Sequence, residues 1–420
     1  MKFRTIKGTK DILPSDATAW QHVERTVRQV MHAFNYREIR TPLFEQTGLF
    51  ARSIGELTDI VSKEMYTFPD RSGESVTLRP EGTAAVLRAY IQNNLGEQSP
   101  LVKVYYIGPM FRQERPQAGR LRQFHQFGAE ALGSPSPSLD VEMMQLPLEV
   151  YRALGIDACA LNINSVGCEK CRPAYKQLLQ TELERIRQQL SEDSRARIAN
   201  NPLRVLDSKD PADREATAHV PLIKDHLCDE CRDHFAAVRR LLTAAGIPFT
   251  IDGRLVRGLD YYTKTAFEIT STALGSQDAL MGGGRYDLLV EELGGKPTPG
   301  VGFAAGIERL LMVLQALKRP AGEEPVPTVF IAAMDGTARE WAFAACHALR
   351  RSGIPAEIDY LDRSLKAQLR EANRQQVAFV LVVGENELTT GEARLKDMRS
   401  GTDHPVRLDA LEQTIRSLHG

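Results

Sequence analysis

Arginines are concentrated in one short segment between two strand-like runs. Four of them lie within eleven residues, around a stretch that also contains proline and glycine: Arg112, Arg115, Arg120 and Arg122. A guanidinium group binds phosphate through two parallel hydrogen bonds and cannot lose its charge. The segment therefore predicts an anion-binding hairpin, to which Phe124 would add a ring for stacking on a nucleobase. A solvated basic loop without a ligand is the alternative interpretation.

The strand that follows this hairpin carries polar side chains on one face. Alternate residues of a strand point to the same side of the sheet, so Gln126 and Glu130 share a face. A second polar segment is LVRGLDYYT, residues 255–263, in which Arg257 is followed by Asp260, Tyr261 and Tyr262. A strand with a turn and two packed tyrosines is the alternative there.

Two glycine-rich segments follow. MGGGRYD, residues 281–287, has three glycines that permit close approach of the backbone to a ligand, although a flexible turn is the commoner meaning of such a run. GVGFAAGIERL, residues 300–310, ends a strand and opens a helix, with a tightly packed strand–helix joint as the alternative. A cation this near a helix N-terminus is unfavourable, so Arg309 is expected to have an anionic partner.

The cysteines form two C-x-x-C pairs separated by 56 residues: Cys168, Cys171, Cys228 and Cys231. Two such pairs have a spacing used for zinc, although the separation is longer than in the usual ribbon. Four thiolate ligands leave no open coordination position, so the metal would be structural. Free thiols on a polar helical segment are the alternative.

Several chemistries are excluded by motif. The chain has no GxxxxGK[ST], GxGxxG, HExxH or GxSxG pattern, which argues against P-loop, dinucleotide, zinc-protease and serine-hydrolase sites. With 53 basic and 54 acidic residues the net charge is −1, so any polyanion must be bound by a local patch. The longest apolar run, Val377–Val383, is too short to span a membrane, and the N-terminal segment MKFRTIKGTKDILP has no apolar core of the signal-peptide kind. We expect a cytoplasmic protein.

The elements that position these residues form two architectures. Strand and helix signals up to residue 320 predict an α+β body, interrupted by a helix-rich polar stretch. Lys318–Pro327 contains three prolines and four charges and predicts a linker. Strands and helices then alternate, which predicts a small domain with a parallel or mixed α/β sheet.

These segments, in this order, resemble a class II aminoacyl-tRNA synthetase. The extended segment ending at Pro42 resembles motif 1, Phe111–Glu114 with the strand to Glu130 resembles motif 2, and Gly300–Leu310 resembles motif 3. Together with RPEGTA at Arg79–Ala84, the segments LVRGLDYYT, GGGRYD and FRQERPQAGRLRQFHQFGAE resemble the histidyl-tRNA synthetase family. The resemblance extends from KGTKDILP through the C-terminal domain.

The resemblance implies a fold and its boundaries. We expect an α+β class II catalytic domain, an antiparallel sheet flanked by helices, over residues 1–166 and 246–320. A helical insertion domain would occupy 167–245, and an α/β anticodon-binding domain would occupy 326–420. Motif 1 would supply the interface of a homodimer.

The resemblance also implies a reaction and its residues. Histidine and ATP, with Mg²⁺, would give histidyl-adenylate, and the histidyl group would pass to the terminal ribose of tRNA(His). The implied catalytic residues are Arg112, Arg257 and Arg309. Those implied for histidine are Glu81, Thr83, Arg112, Gln126, Glu130, Arg257, Tyr261, Tyr262 and Tyr286. Those implied for ATP are Arg112, Glu114, Arg120, Phe124 and Arg309.

Two alternatives stay open at this point. One is a catalytically inactive, histidine-binding regulatory paralogue, against which the retained arginines and C-terminal domain argue. The other is a class II synthetase of different specificity, against which LVRGLDYYT and GGGRYD argue.

Overall fold

The chain divides into two compact units, one ending at residue 322 and one beginning at residue 323. The computed structural model describes residues 3–55, 58, 60–117, 119–257, 261–274, 279–319, 322 and 325–419. Of the predicted linker, 320–321 and 323–324 lie outside the described residues, and so do 258–260, which include Asp260.

The first unit is built on one large and one small sheet. Its strands are β1 (Arg37–Glu38), β2 (Phe44–Gln46), β3 (Tyr66–Pro69), β4 (Ser75–Leu78), β5 (Val102–Phe111), β6 (Gln123–Leu132), β7 (Ala160–Gly167), β8 (Thr250–Ile251), β9 (Thr263–Thr270), β10 (Ala279–Arg285) and β11 (Gly300–Gly306). Its α-helices are α1 (Pro14–Ala33), α2 (Thr47–Ile54), α3 (Thr83–Gln92), α4 (Leu95–Gln98), α5 (Pro137–Ala153), α6 (Arg172–Arg185), α7 (Glu192–Asn200), α8 (Leu203–Leu206), α9 (Pro211–Ala216), α10 (Asp229–Ala244), α11 (Leu289–Glu292) and α12 (Ile307–Ala316).

The large sheet has eight strands in the order β1-β5-β6-β11-β10-β9-β7-β8, and β2-β4-β3 form the small sheet. The six central strands of the large sheet are antiparallel, as expected of a class II synthetase fold, but both outer pairs, β1 with β5 and β7 with β8, are parallel. Parallel neighbours need a long crossover, which the chain supplies here. The connection between β7 and β8 contains the helices α6 to α10.

The two faces of the large sheet differ because side chains alternate along each strand. Phe127, Ala129 and Ala131 of β6 are buried in the main core, together with residues of α1, α5, α10 and α12. On α1 the buried residues Val23, Val27 and Met31 recur every four positions, which places them on one helical stripe. The opposite face of β6 carries Gln126 and Glu130, so the polar side chains that the sequence singled out lie away from the main core.

Two elements differ from the expectation. The residue pattern of Glu81–Leu95 predicts a single helix, but α3 ends at Gln92, because Asn94 adopts a left-handed conformation with φ of 51° and α4 begins after it. The three glycines of MGGGRYD form part of β10 rather than a flexible turn. Gly283 pairs with Phe303 on one side and Phe267 on the other, so this backbone is held by two neighbouring strands.

The second unit is a five-stranded mixed sheet in the order β13-β12-β14-β15-β16. Its elements are β12 (Val329–Ala333), α13 (Gly336–Arg351), β13 (Ala356–Ile358), α14 (Leu365–Arg374), β14 (Phe379–Val383), α15 (Glu385–Thr390), β15 (Glu392–Asp397), β16 (Asp403–Arg407) and α16 (Leu411–His419). Strands β13, β12 and β14 are parallel to one another. Strands β15 and β16 form an antiparallel hairpin beside β14, which the sequence pattern did not predict. Among the described residues of the whole chain, no helix has the length and apolar character needed to cross a membrane.

Candidate active site

A cleft of about 630 Å³ lies over the polar face of the large sheet. Apart from the cysteines, every residue predicted for the site lines this cleft except Glu130. Glu130 lies directly beneath the lining, because its carboxylate contacts the side chains of Thr83 and Tyr286, which do line it. The structure therefore brings together residues that are separated by more than 200 positions in the chain.

Glu130 is a fully buried carboxyl group near the C-terminal end of β6. The Thr83 hydroxyl donates a hydrogen bond of 2.7 Å to its Oε1, and the Tyr286 hydroxyl donates to its Oε2. Burial raises the pKa of Glu130 from 4.5 to about 8, and repulsion from nearby Glu81 acts in the same direction. This group can therefore hold or release a proton near neutral pH.

Glu81 stands at the start of α3, where backbone N–H groups lack partners within the helix. Its carboxylate accepts hydrogen bonds from the N–H of Thr83 at 2.6 Å and of Ala84 at 2.9 Å. Burial raises the pKa of Glu81, although these N–H donors oppose the shift. Two buried carboxyl groups, Glu81 and Glu130, thus lie near each other beside the cleft, and neither forms an ion pair within the described part of the chain.

Three tyrosines form a wall beside these two carboxyl groups. The ring centroids of Tyr261 and Tyr262 are 4.6 Å apart, and Tyr286 meets Tyr261 edge-on at 5.8 Å. Burial raises the pKa of all three, so they remain neutral phenols that can donate a hydrogen bond. Beside them, the buried amide oxygen of Gln126 has no hydrogen-bond partner within the described part of the chain. A buried acceptor without a partner is costly, which favours a ligand that donates to it.

Arg257 crosses from the tyrosine wall to the middle of the cleft. Its guanidinium carbon lies 5.9 Å from the Tyr262 ring centroid, and its Nη1 donates to Glu268 at 3.1 Å. Its buried Nε has no hydrogen-bond partner among the described residues. Arg257 therefore presents a charged donor to the cleft at the boundary between the tyrosines and the other arginines.

Arg112 and Arg309 also line the cleft and are held by backbone carbonyls. Arg112 donates to the carbonyl of Pro80 at 2.9 Å, and its guanidinium carbon lies 5.3 Å from the Phe124 ring centroid. Arg309 donates to the carbonyls of Gly119 at 3.2 Å and Ala279 at 2.6 Å. Carbonyl partners position a guanidinium group without neutralising it, so its charge stays available to an anion.

The anionic partner expected for Arg309 is not a carboxylate in direct contact, at least among the residues that the structure describes. Burial lowers the pKa of Arg309, and the positive charge of nearby Arg120 lowers it further. The carboxylate of Glu114 lies 3.4 Å from Arg120, within the hairpin loop. The unfavourable position of Arg309 at the start of α12 and the neighbouring like charges both indicate an anionic ligand.

The floor of the cleft is backbone at two glycines. A Cβ atom on Gly282 would overlap the guanidinium group of Arg257, and one on Gly302 would overlap the Glu130 carboxylate. At Gly302 the Ala129 carbonyl is also 2.7 Å from the added Cβ, so glycine is required there by space, whereas a side chain at Gly282 would displace the Arg257 guanidinium group.

Some residues of the cleft were missed by sequence reasoning. Asp193, Arg197 and Arg204, from α7 and the α8 region of the helical stretch, line the same cleft. Glu308 was read as part of a helix start, and its carboxylate accepts from the backbone N–H of His125 at 2.9 Å and contacts the His125 ring at 3.0 Å. No local pattern distinguishes these charged residues from ordinary solvated ones, so only the folded arrangement identifies them.

The four cysteines of the two C-x-x-C pairs form one cluster, away from the cleft lining. Cys168 and Cys171 follow β7, and Cys228 and Cys231 lie at the start of α10. The sulfur–sulfur distances are 3.9 Å for Cys168–Cys171, 3.8 Å for Cys168–Cys228 and 3.9 Å for Cys171–Cys231, and all four sulfurs lie within 4.8 Å of one another. All four are free thiols, as are Cys159 and Cys346 elsewhere.

Comparisons with known proteins identify the family of this chain. Residues 8–310 match the family model described as histidyl-tRNA synthetase, and residues 328–418 match an anticodon binding domain. A histidine–tRNA ligase of Chloroherpeton thalassium is 54% identical over 95% of this chain and 94% of its own length. One of Syntrophotalea carbinolica is 49% identical over 99% of this chain and 98% of its own. The crystal structure of apo S. aureus histidyl-tRNA synthetase superposes with a TM-score of 0.84 at 38% identity, covering 99% of this chain and 100% of that one.

Proposed function

Because this chain belongs to the histidyl-tRNA synthetase family, we propose that its cleft is divided between a histidine end and an ATP end. The activity is that of a histidine–tRNA ligase. An oxygen of the histidine carboxylate bonds to the α-phosphorus of ATP while the bond to pyrophosphate breaks. A hydroxyl of the terminal tRNA ribose then loses its proton, bonds to the carbonyl carbon and displaces AMP.

The buried polar end of the cleft binds histidine. The α-ammonium group would donate to Glu81, Thr83 and Gln126, which offer acceptor oxygens, one of them without a partner in the described chain. The imidazole would lie among Glu130 and the three tyrosines, so that each ring nitrogen meets a group able to donate or accept. A site of buried hydrogen-bonding groups rejects amino acids that leave those groups unpaired. Specificity for histidine then needs no editing step.

The arginine end binds the phosphates. Arg112 would hold the histidine carboxylate and the α-phosphate together, Arg257 would contact the α-phosphate, and Arg309 would hold the γ-phosphate. Negative charge grows on the phosphoryl oxygens in the transition state, and fixed guanidinium groups stabilise it without reorganising. Holding carboxylate and phosphorus in line supplies a further large share of the rate. No protein nucleophile is needed.

The adenine and the hairpin loop complete the ATP end. Phe124 would stack on the base, and Arg120 with Glu114 would position the nucleotide. One observation carries the whole assignment: the kind of polar group changes along the cleft. Buried neutral donors and acceptors surround Glu130, whereas guanidinium groups held by backbone carbonyls line the rest.

Mg²⁺ is expected with ATP, and the residues present fit it. Mg²⁺ prefers carboxylate and phosphate oxygens, and Glu114 and Glu268 are carboxylates that line the cleft. With ATP bound, these two would hold the ion, which would offset charge on the phosphates.

A structural Zn²⁺ fits the four-cysteine cluster. A tetrahedron with zinc–sulfur bonds of about 2.3 Å has sulfur–sulfur edges of about 3.8 Å. Three of the six edges are 3.8–3.9 Å and match this value, and all six are within 4.8 Å, whereas a disulfide would need sulfurs about 2 Å apart. Free thiols and a tRNA substrate both agree with a reducing cytoplasm.

The second unit would bind the anticodon of tRNA(His). Residues 326–420 contain 12 Arg plus Lys and 13 Asp plus Glu, so the RNA face must be a local patch rather than the whole domain. The segment ending at Pro42 would form the interface of a homodimer, which sedimentation of the purified protein would test.

The division of the cleft is tested by ATP–pyrophosphate exchange with each of the twenty amino acids in turn. Exchange driven by histidine alone is expected, since only histidine satisfies the buried groups. Silence with every amino acid, in folded protein that binds histidine by calorimetry, would instead identify the regulatory paralogue.

The anticodon assignment needs a separate test. A chain ending at Lys318 should retain histidine-dependent exchange, because the cleft belongs to the first unit. Its charging of tRNA should fall by roughly 100-fold, which corresponds to about 2.7 kcal/mol of lost RNA contact. Unchanged charging would refute the assignment without affecting the histidine site.

A further inference from the structure

The four-cysteine cluster touches the histidine end of the cleft through two separate sets of contacts. One runs from the first C-x-x-C pair and the other from the second. Each ends at a tyrosine of the pocket wall. The cluster therefore lies behind that wall, although none of its cysteines lines the cleft.

The first set of contacts passes through Arg172, the residue directly after Cys171. Its Nε donates to the carbonyl of Val166 at 3.0 Å, and its Nη2 donates to the carbonyls of Gly167 at 3.2 Å and of Tyr262. Gly167 has φ of 68°, and a Cβ there would lie 2.9 Å from the Cys171 sulfur. Arg172 thus joins the end of β7 to the backbone of Tyr262.

The second set passes through Glu230, which lies between Cys228 and Cys231. Its carboxylate is 3.0 Å from the Nζ of Lys264, and that Nζ is 3.3 Å from the carboxylate of Asp287. Lys264 follows Thr263, whose hydroxyl accepts from the N–H of Asp287 at 3.0 Å. Because Asp287 is the neighbour of Tyr286, this ion-pair chain ends at the tyrosine that donates to Glu130.

The position of these contacts depends on the cluster. The members of each cross-pair are 60 positions apart in the chain, and the two segments are joined by weak sulfur contacts and by the exposed Lys170–Glu230 ion pair. Four metal bonds would fix both segments at once, since each C-x-x-C pair supplies two ligands. Arg172 follows Cys171 and Glu230 precedes Cys231 in the chain, so bonds that fix these two sulfurs also restrict the backbone of Arg172 and Glu230.

We propose that a zinc ion in the four-cysteine cluster sets the affinity of the chain for histidine, by fixing Arg172 and Glu230 and through them Tyr262 and Tyr286. Arg172 and Glu230 are positioning residues, because neither lines the cleft. The proposal rests on the assignment of these tyrosines to the histidine pocket. It predicts that metal occupancy changes histidine binding and leaves the ATP end unchanged.

The test uses the full-length protein. Zinc content is measured by mass spectrometry, histidine binding by calorimetry, and the KM values for histidine and ATP by pyrophosphate exchange. We expect one zinc per chain. Treatment with 1,10-phenanthroline should remove it and raise the KM for histidine on the order of tenfold, with the KM for ATP unchanged. Its 1,7 isomer, which does not chelate, is the control, and added zinc should restore the original value.

Two variants keep the proposal testable even where zinc removal unfolds the chain. Glu230→Gln and Arg172→Lys retain all four thiols, so zinc content should stay at one per chain while the histidine KM rises. Cys159→Ala, a cysteine outside the cluster, should change neither quantity. A chain that binds no zinc, or zinc-loaded variants with unchanged histidine affinity, would overturn the proposal.

The outcomes separate the two levels of the argument. Zinc content and histidine binding are measured without catalysis, so they report on the cluster even in an inactive protein. Absence of histidine-dependent exchange in the unmodified protein would count against the proposed function. If exchange is normal and the KM for histidine is the same with and without zinc, only the proposed link between zinc and histidine affinity is refuted.

Discussion

In the proposed assignment, the two ends of the cleft recognise their ligands in opposite ways. At the histidine end, Glu130 is buried and already engaged by Thr83 and Tyr286. At the ATP end, Arg112 and Arg309 are engaged only by backbone carbonyls in the recorded hydrogen bonds of the described residues. One end is a network of fixed donors and acceptors, and the other is charge that is positioned but not neutralised.

This difference determines whether each end of the cleft discriminates between ligands or stabilises charge that develops during the reaction. A buried hydrogen-bond network discriminates by geometry, because an ill-fitting ligand leaves polar groups unpaired. Positioned cations discriminate weakly between anions but stabilise charge that develops during reaction. Substitutions at the histidine end should therefore change which amino acid binds, and substitutions at the ATP end should change how fast the adenylate forms.

The largest effect is expected from Arg257→Ala, at the boundary of the two ends. Loss of a fixed cation at the α-phosphate should lower the rate of histidine-dependent pyrophosphate exchange by roughly 10²–10³-fold, with the fold intact by circular dichroism. Arg254→Ala is the matched control, because Arg254 donates to Thr217. Near-normal exchange in Arg257→Ala would remove this residue from the mechanism.

Glu130→Gln should mainly affect the histidine end. The amide keeps the shape of the carboxyl group but cannot accept a proton or carry a charge, so the Kd for histidine should rise roughly 10-fold or more. ATP binding should stay the same in calorimetry. Equal weakening of both ligands would show that the two ends are not independent.

Phe124→Leu should affect only the ATP end, and by less. Loss of a stacking partner for adenine is expected to raise the KM for ATP by roughly tenfold, or about 1.4 kcal/mol. The KM for histidine should not change. An unchanged KM for ATP in Phe124→Leu would show that the adenine base does not stack on Phe124.

The last prediction concerns the pH dependence of stability. Burial raises the pKa of Glu130 from 4.5 to about 8, so the folded chain holds this proton more tightly than the unfolded chain does. The carboxyl group therefore costs stability increasingly as pH rises from 4.5 to 8, and fully above 8. The Tm of Glu130→Gln minus that of the unmodified protein should grow over this window.

Glu97→Gln serves as the control for this measurement, because Glu97 is an exposed carboxyl group. Its difference in Tm from the unmodified protein should stay flat between pH 5 and 8.5. A flat difference for Glu130→Gln as well would mean that Glu130 is solvated in the folded chain.

The class II synthetase fold could be predicted because a local sequence pattern identifies its central hairpin. Strand alternation over Arg122–Leu132 gave both the hairpin and the shared face of Gln126 and Glu130. The hairpin of β15 and β16 was missed because β15 buries only Ala393 and Leu395, too short an alternation to stand out.

The candidate site was predictable only where residues lie in distinctive segments. Arg257, Tyr261 and Tyr262 belong to the segment LVRGLDYYT, and Tyr286 belongs to GGGRYD. Arg204 and Asp193, which also line the cleft, belong to no such segment. Their approach to the cleft is set by how a helical stretch folds back over the sheet, and neither charge nor spacing encodes that. The glycine run was misjudged for a related reason, since strand pairing on both sides decided its conformation.

The glycine floor limits how this cleft could be redesigned. Gly282 and Gly302 already have no side-chain atoms, so any substitution there adds volume and displaces Arg257 or Glu130. An engineer who wants a larger amino acid to be accepted cannot deepen the cleft from below. The space would have to come from the wall, by shortening Tyr261, Tyr262 or Tyr286, and the new substrate would lie higher above an unchanged floor.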